Sequence, residues 1–383
     1  SATGRGGIAV GRKSNAVHNA LSIGWIASAT TKGAIAIGSA LEEPGVSGEK
    51  EVVSDGFYSI AIGGASQSSG TTSIALGVKS SATNESATAI GKSSNASGVG
   101  AFAAGLQTNA SGAGSVAIGG ATSDTASNGA TASGAASIAM GYKSNASSQN
   151  AVSIGSESKA SELNALAIGT NTNVTKQNAT AVGSGASVTG HNATAVGNDT
   201  KAINQYDNAF GYTSTASGGA ATAVGYYATA SGNQTVALGS TINSTAQYAT
   251  GIGYSVNSQG EGSVAIGAGT DVLGAIPAKQ VKATAKNAIA IGRATQATSQ
   301  DATAIGTEAT ASNTDAIAIG RKSNASGSTS IGFGYNTKAT QTNTVAIGTD
   351  VSATAESAIA LGRKTIASGL SSTAVGPLAN ASG

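Results

Sequence analysis

Few residues in this chain could carry acid–base or metal chemistry, and they lie far apart. The two histidines, His18 and His191, have no acidic or sulfur partner close by in the sequence, and cysteine is absent. General acid–base catalysis and zinc binding both need such groups to converge. Both histidines are therefore expected on the surface or in turns. No Gly-x-Ser-x-Gly elbow, phosphate-binding loop or calcium-type nonapeptide supplies another site. The expectation is a non-enzymatic chain with no catalytic residue, no metal and no cofactor.

Residues suited to binding are more informative. Seven of the 14 aromatics fall between Tyr206 and Tyr254, and Tyr212, Tyr226 and Tyr227 are the densest group. Aromatic side chains offer large contact area with a polar tip, so an exposed group of them suits a protein or a glycan; packing between neighbouring chains is the alternative. An acidic segment holds Glu42, Glu43, Glu49, Lys50 and Glu51, and a basic one holds Lys279, Lys282 and Lys286. Glu42, Glu43, Glu49, Lys50, Glu51, Lys279, Lys282 and the three tyrosines are the candidate ligand contacts. With 20 basic and 18 acidic residues the net charge is +2, which calls for no nucleic acid. No apolar run approaches the roughly 18 residues of a membrane span, so no membrane contact is expected. No signal peptide opens the chain, and its ends fall inside a repeat, so a piece excised from a longer protein is expected.

The elements that must position these groups come from that repeat. A phrase of three residues and a glycine occurs 25 times between Gly11 and Gly376, and 20 of the 24 spacings are 14 residues. Its middle residue is always Ala, Ser or Gly, and the residue preceding the phrase is small except at Asp207. The third is Ile, Val, Leu, Met or Phe except at Ala104. Large and small residues alternating with period two indicate a strand. One face of it must lie close against something; the other carries two bulky groups. Five residues after the phrase glycine, Ala recurs (Ala82, Ala96, Ala110, Ala146), and a Ser-Gly turn signal often follows. One repeat thus reads strand, turn, strand, turn and closes a thin coil. A coiled coil fails because the bulky positions sit two apart. A hexapeptide-repeat acyltransferase fails because 14 is not a multiple of six. An ice-binding face would need a threonine ladder, and Thr opens only seven phrases.

Three spacings are longer than 14, which predicts insertions over about 39–58, 120–135 and 268–286 in a single domain, 1–383. Loops on a rigid repeat are where binding variation concentrates, so deletion of 42–55 is expected to leave the fold intact and alter binding. A coil filled with Ala and Ser buries little by itself. At ~50 Å² of exposed apolar area per coil its outward aliphatics form a stripe of more than about 1,000 Å², beyond what a soluble monomer tolerates. Covering it by parallel chains around an axis predicts a homotrimer. The expected trimer core is Ile35, Ile37, Ile60, Ile62, Val116, Ile118, Val152, Ile154, Ile289, Ile291, Ile317 and Ile319.

The phrases Ser73-Ile74-Ala75-Leu76-Gly77, Ser115-Val116-Ala117-Ile118-Gly119 and Ser263-Val264-Ala265-Ile266-Gly267 resemble the head repeats of YadA-type trimeric autotransporter adhesins. The resemblance spans nearly the whole chain. It implies an all-β fold, a left-handed parallel β-roll or solenoid, homotrimeric, with three insertions. It also implies an extracellular head on a surface fibre of a Gram-negative bacterium, anchored in the outer membrane by parts absent here. The family's partners are extracellular matrix proteins, host cells, other bacteria or abiotic surfaces. The rival expectation is a structural spacer with no ligand of its own.

Overall fold

The computed structural model describes residues 1–41, 50–123, 128–270 and 279–383. The chain divides into two units, Ser1–Asn192 and Ala193–Gly383. Each is a parallel β-solenoid with 14-residue turns, and no helix occurs among the described residues.

One coil of the first unit shows the construction. The phrase forms the strand Ile138–Met140, a turn follows, then the short strand Asn145–Ala146, a second turn, and the next phrase strand, Val152–Ile154. Register is 14 residues: Ile138 pairs with Val152 and Ala139 with Ser153, and Asn145 pairs with Lys159 on the other wall. The Val152 amide donates to Ala165 O at 2.8 Å on one neighbouring coil, and the Gly155 amide donates to Met140 O at 2.7 Å on the other. Each coil therefore satisfies its backbone through its neighbours, as a parallel ladder requires. The second unit repeats the plan: Ile289–Ile291, Gln296–Ala297 and Thr303–Ile305 pair at the same interval. Its longest strands, Val236–Ser244 and Thr250–Ser258, carry the ladder through the turn that separates the two walls elsewhere.

The small residues line the interior and the large ones face out, as the size pattern requires. Ala139, Ala146, Ala167, Ala290 and Ala304 are fully buried, whereas the phrase residues on either side of them are half-buried or exposed. Interior serines bridge the thin space: the hydroxyls of Ser153 and Ser158 lie 2.6 Å apart, as do those of Ser68 and Ser73. Buried hydroxyls need partners, and several also bond the nearest turn, as Ser144 does to Gly141 O at 3.0 Å. A few coils admit larger groups, including Val174, Ile242 and Val256. At Gly251 the cause of the local exception is visible: a Cβ there would lie 2.8 Å from Ile242 Cγ2. Glycine replaces alanine where the opposite wall fills the space.

Each turn contains a left-handed residue, so positive φ recurs every seven residues. In the first unit the series runs Ala136, Lys143, Asn150, Glu157, Asn164, Asn171 and Asn178, with φ between 53° and 58°. Asn tolerates this conformation best among non-glycines. The heptad within the 14-residue period is thus a turn period. The phrase glycine has a second constraint. At Gly77 φ is +135°, and a Cβ would lie 2.6 Å from Gly91 O on the next coil.

The irregular spacings have definite places. The single spacing of 13 is absorbed between Ala16 and Leu21, four residues where the regular coil between Ala82 and Thr88 has five. The longer ones all leave the coil between a phrase glycine and its short strand. Ser28 pairs with Val53, Asn109 with Thr131, and Asn257 with Lys282, so the coil resumes in register after each. At the first, Leu41 and Lys50 form an antiparallel bridge; at the third, the Thr270 amide donates to Lys279 O at 2.8 Å. Val52–Ser54 is therefore a regular short strand with Val52 buried. Deleting 42–55 would remove that strand from its coil, contrary to the expectation that the deletion is structurally neutral.

Candidate ligand-contact surface

Each coil offers an aliphatic wall, a polar wall and two corners. On the aliphatic wall, the twelve phrase residues Ile35, Ile37, Ile60, Ile62, Val116, Ile118, Val152, Ile154, Ile289, Ile291, Ile317 and Ile319 all point away from the interior. Eleven are half-buried and Ile62 is exposed. The polar wall was not legible from the small residues alone. Its outward position is the fourth after the phrase glycine, one before the buried Ala. It is polar in every coil but those of Val53 and Ile366. Asn95, Asn109, Asn145, Lys159 and Asn173 belong to it, and Asn95 Nδ2 donates to Asn109 Oδ1 at 3.0 Å. Its signal was constant polarity under varying residue type, mixing Asn, Ser, Thr, Gln and Lys.

The corner after the phrase glycine carries the three candidate tyrosines and, on other coils, basic residues. In the second unit, Tyr212 and Tyr226 stack one coil apart, with ring centres 5.4 Å apart and planes 13° from parallel. Tyr227 stands edge-on to both, at 4.5 Å from Tyr226 and 5.8 Å from Tyr212. All three are about half exposed, at 46%, 53% and 46% in sequence order. Such edge and offset contacts are attractive and hold the rings in place on the surface. In the first unit the same corner carries Lys143, whose Nζ lies 5.0 Å from the Tyr142 ring centre and 3.4 Å from Glu157 Oε1. Tyr142 first, and then Glu157, raise the Lys143 pKa above its ordinary value. In the second unit Arg321 Nη2 donates to Tyr335 Oη at 3.1 Å, with the guanidinium 4.8 Å from the ring centre. These basic residues cross-link neighbouring coils by cation–π and ionic contacts.

The opposite corner is an amide ladder in the first unit. Asn150 Nδ2 donates to Asn164 Oδ1, Asn164 to Asn178 and Asn178 to Asn192, at 3.0, 2.9 and 3.2 Å. In the second unit Asn287 donates to Asp301 Oδ1 at 2.9 Å. That hydrogen bond, with a lesser one from Gln300, holds the Asp301 carboxyl below the usual aspartate range. Asp207, the exception to the small-residue rule, is fully buried. Its carboxylate accepts three backbone amides: Asn204 at 2.8 Å, and Gly219 and Ala221 at 2.9 Å each. Backbone donors thus compensate a buried acid.

Of the other candidates, Lys50 and Glu51 are exposed in the first unit, next to the Leu41 bridge. Lys279 is exposed at the Thr270 contact in the second, and Lys282 is half-buried on the polar wall. Glu42, Glu43 and Glu49 lie outside the described residues. The structure brings together the three tyrosines. His18 lines a surface hollow with Val17, Asn19, Thr30, Thr31, Lys32 and Phe57. Among the described residues no three His, Cys, Asp or Glu side chains come together as metal ligands.

No curated protein matches the sequence closely. The family model described as the YadA head domain repeat (2 copies) matches in overlapping stretches. They cover residues 18–40, 54–122, 128–172, 175–200, 209–241, 283–323, 325–350 and 353–383. The matched stretches hold most of the phrase strands, short strands and turns described above, and they amount to well over half of the chain. The chain belongs to the YadA head family.

Proposed function

We propose that this chain is the head of a trimeric surface adhesin, non-enzymatic, acting outside a Gram-negative cell. The observation that carries the reading is the division of each coil into an aliphatic wall and a polar wall. Three copies would turn the aliphatic walls, with Ile35, Ile37, Val152 and Ile154 among them, toward a shared axis. The polar walls and corners would stay in water. At about 25 cal/mol per Å², covering roughly 1,000 Å² of aliphatic surface per chain contributes on the order of 25 kcal/mol before ordering costs. Family membership supports the adhesin-like class and a place on the cell surface. The exposed tyrosines at one corner favour a surface that makes contacts of its own over a bare spacer.

The ligand in this reading is a matrix protein, a host or bacterial surface, or an abiotic solid. Residues near the long spacings and the tyrosine corner make the contact. The test is a solid-phase assay of the purified head against collagen, fibronectin, laminin, host-cell glycans and polystyrene. Saturable retention on at least one of them supports an adhesive head. Retention no greater than that of an unrelated protein on all of them would leave only a spacer.

A further inference from the structure

We infer that the corner of the second unit formed by Tyr212, Tyr226, Tyr227 and Ser240 is a binding site for a pyranose ring of a neutral glycan. The inference rests on the proposed adhesive reading only in needing this corner uncovered in the assembly.

The argument starts from what the corner lacks. Four consecutive coils present Gly211-Tyr212-Thr213, Gly225-Tyr226-Tyr227, Gly239-Ser240-Thr241 and Gly253-Tyr254-Ser255 there. These are rings and hydroxyls with no charged side chain. Further along the same unit, the same positions hold Arg293, Glu308, Arg321, Lys322, Asp350, Arg363 and Lys364. A charged ligand would find ion partners on those coils and none on these four. A neutral ligand with hydroxyl groups finds the reverse.

The order of the rungs leaves a gap in the row of rings. Tyr212 and Tyr226 stack as successive rungs, and Ser240 and Tyr254 follow, with Ser240 directly paired to Tyr254 in the ladder. Ser240 is thus a rung without a ring between two rungs that have one. Two rungs span about 9.6 Å, the width of one further ring at the spacing the tyrosines already keep. Tyr227 does not fill it. Its centre is 5.8 Å from Tyr212 and 4.5 Å from Tyr226, which themselves lie 5.4 Å apart, so it stands beside the stacked pair and not beyond it. A pyranose has an apolar C–H face and a rim of hydroxyls. The Tyr226 ring receives the face, and the Ser240, Thr241 and phenol hydroxyls can both donate to and accept from the rim. Rings already locked against one another lose little freedom on binding.

The intact oligomer is titrated with maltohexaose, cellohexaose and chitohexaose, with a heparin hexasaccharide as the anionic comparison. Binding is followed by calorimetry and tyrosine fluorescence. At least one neutral hexasaccharide is expected to bind, with affinity unchanged between 50 and 500 mM salt, since no ion pair is there to be screened. Tyr226→Phe is expected to hold affinity within about threefold and Tyr226→Ala to lose about tenfold or more, as the loss of one stacked ring implies. Ser240→Tyr, which completes the aromatic ladder, is expected to abolish binding while amide exchange protection of its coil stays unchanged. The inference is overturned if no neutral hexasaccharide binds at millimolar concentration, or if the anionic one binds more tightly. It is equally overturned if Ser240→Tyr binds as the parent does, or if Tyr226→Ala dissociates the oligomer and so marks the rings as an inter-chain contact. A head that adheres to matrix proteins but ignores all three sugars loses this site alone. One that binds a sugar but adheres to nothing loses the adhesive reading alone.

Discussion

Substituting a phrase glycine tests the stacking of coils most sharply. Gly77 has φ +135°, and an added Cβ would lie 2.6 Å from Gly91 O and 2.7 Å from Gly91 C. Holding a non-glycine residue in that backbone region costs about 1–3 kcal/mol. Forcing the neighbouring coil aside costs about 1–3 kcal/mol more. Gly77→Ala should therefore destabilise its coil by about 2–6 kcal/mol. Gly100 is the internal control: its φ is +63°, an added Cβ meets nothing within 4 Å, and it belongs to the left-handed series that other coils fill with Asn, Ser or Lys. Gly100→Ala should cost within about 1 kcal/mol, because the left-handed penalty is partly offset by a less flexible unfolded chain. Gly100→Asn should be close to neutral.

Solenoids unfold locally, so a global melting point averages the effect away. Amide hydrogen exchange reads it coil by coil. The Gly91 amide donates to Leu76 O at 2.7 Å, and its protection should fall by at least about 30-fold in Gly77→Ala, the equivalent of about 2 kcal/mol. It should be unchanged in Gly100→Asn. Equal protection in Gly77→Ala and Gly100→Ala would refute the reasoning that the phrase glycine exists to let neighbouring backbones approach.

Other consequences follow from single sites. Asp207→Ala leaves three amides without their acceptor, the Ala221 amide buried and the other two part-buried, and should cost about 1–3 kcal/mol, read as lost exchange protection at Gly219 and Ala221; unchanged protection would show that the turn re-pairs its own amides. Asp301 should titrate below the ordinary aspartate range by carbon-detected NMR, and Asn287→Ala should return it toward that range. Because its folded pKa is lowered, any stability it contributes is present above the ordinary aspartate value and is lost as pH falls through the lowered one. A titration at or above the ordinary value would remove the Asn287 contact from the account.

The parts of the fold set by side-chain size were readable before any coordinates. Ala139 and Ala167 had to face inward because the space between the two walls of so thin a coil has little room beyond a methyl group on most rungs. The bulky residues beside them then had no place but outside. The stack of Tyr212 on Tyr226 followed from period alone, since equal positions on successive coils are one strand spacing apart. The parts set by backbone conformation were hidden. A left-handed residue every seven positions is filled by Lys143, Glu157, Asn164 and Tyr227 alike, and no shared side-chain property marks it. The polar wall was missed because its residues agree in polarity and differ in size. Asp207 was visible as an exception, but its role depends on backbone amides of the following coil, which sequence spacing does not aim.

The oligomeric state in solution tests the central claim most directly. Light scattering of the chain at micromolar concentration should give three times its 36.3 kDa mass. Replacing Ile35, Ile37, Ile60 and Ile62 together by Ser should loosen that assembly while circular dichroism still reports β-structure. A stable, soluble monomer of the unsubstituted chain would contradict the account, because its aliphatic wall would then stand in water without a partner.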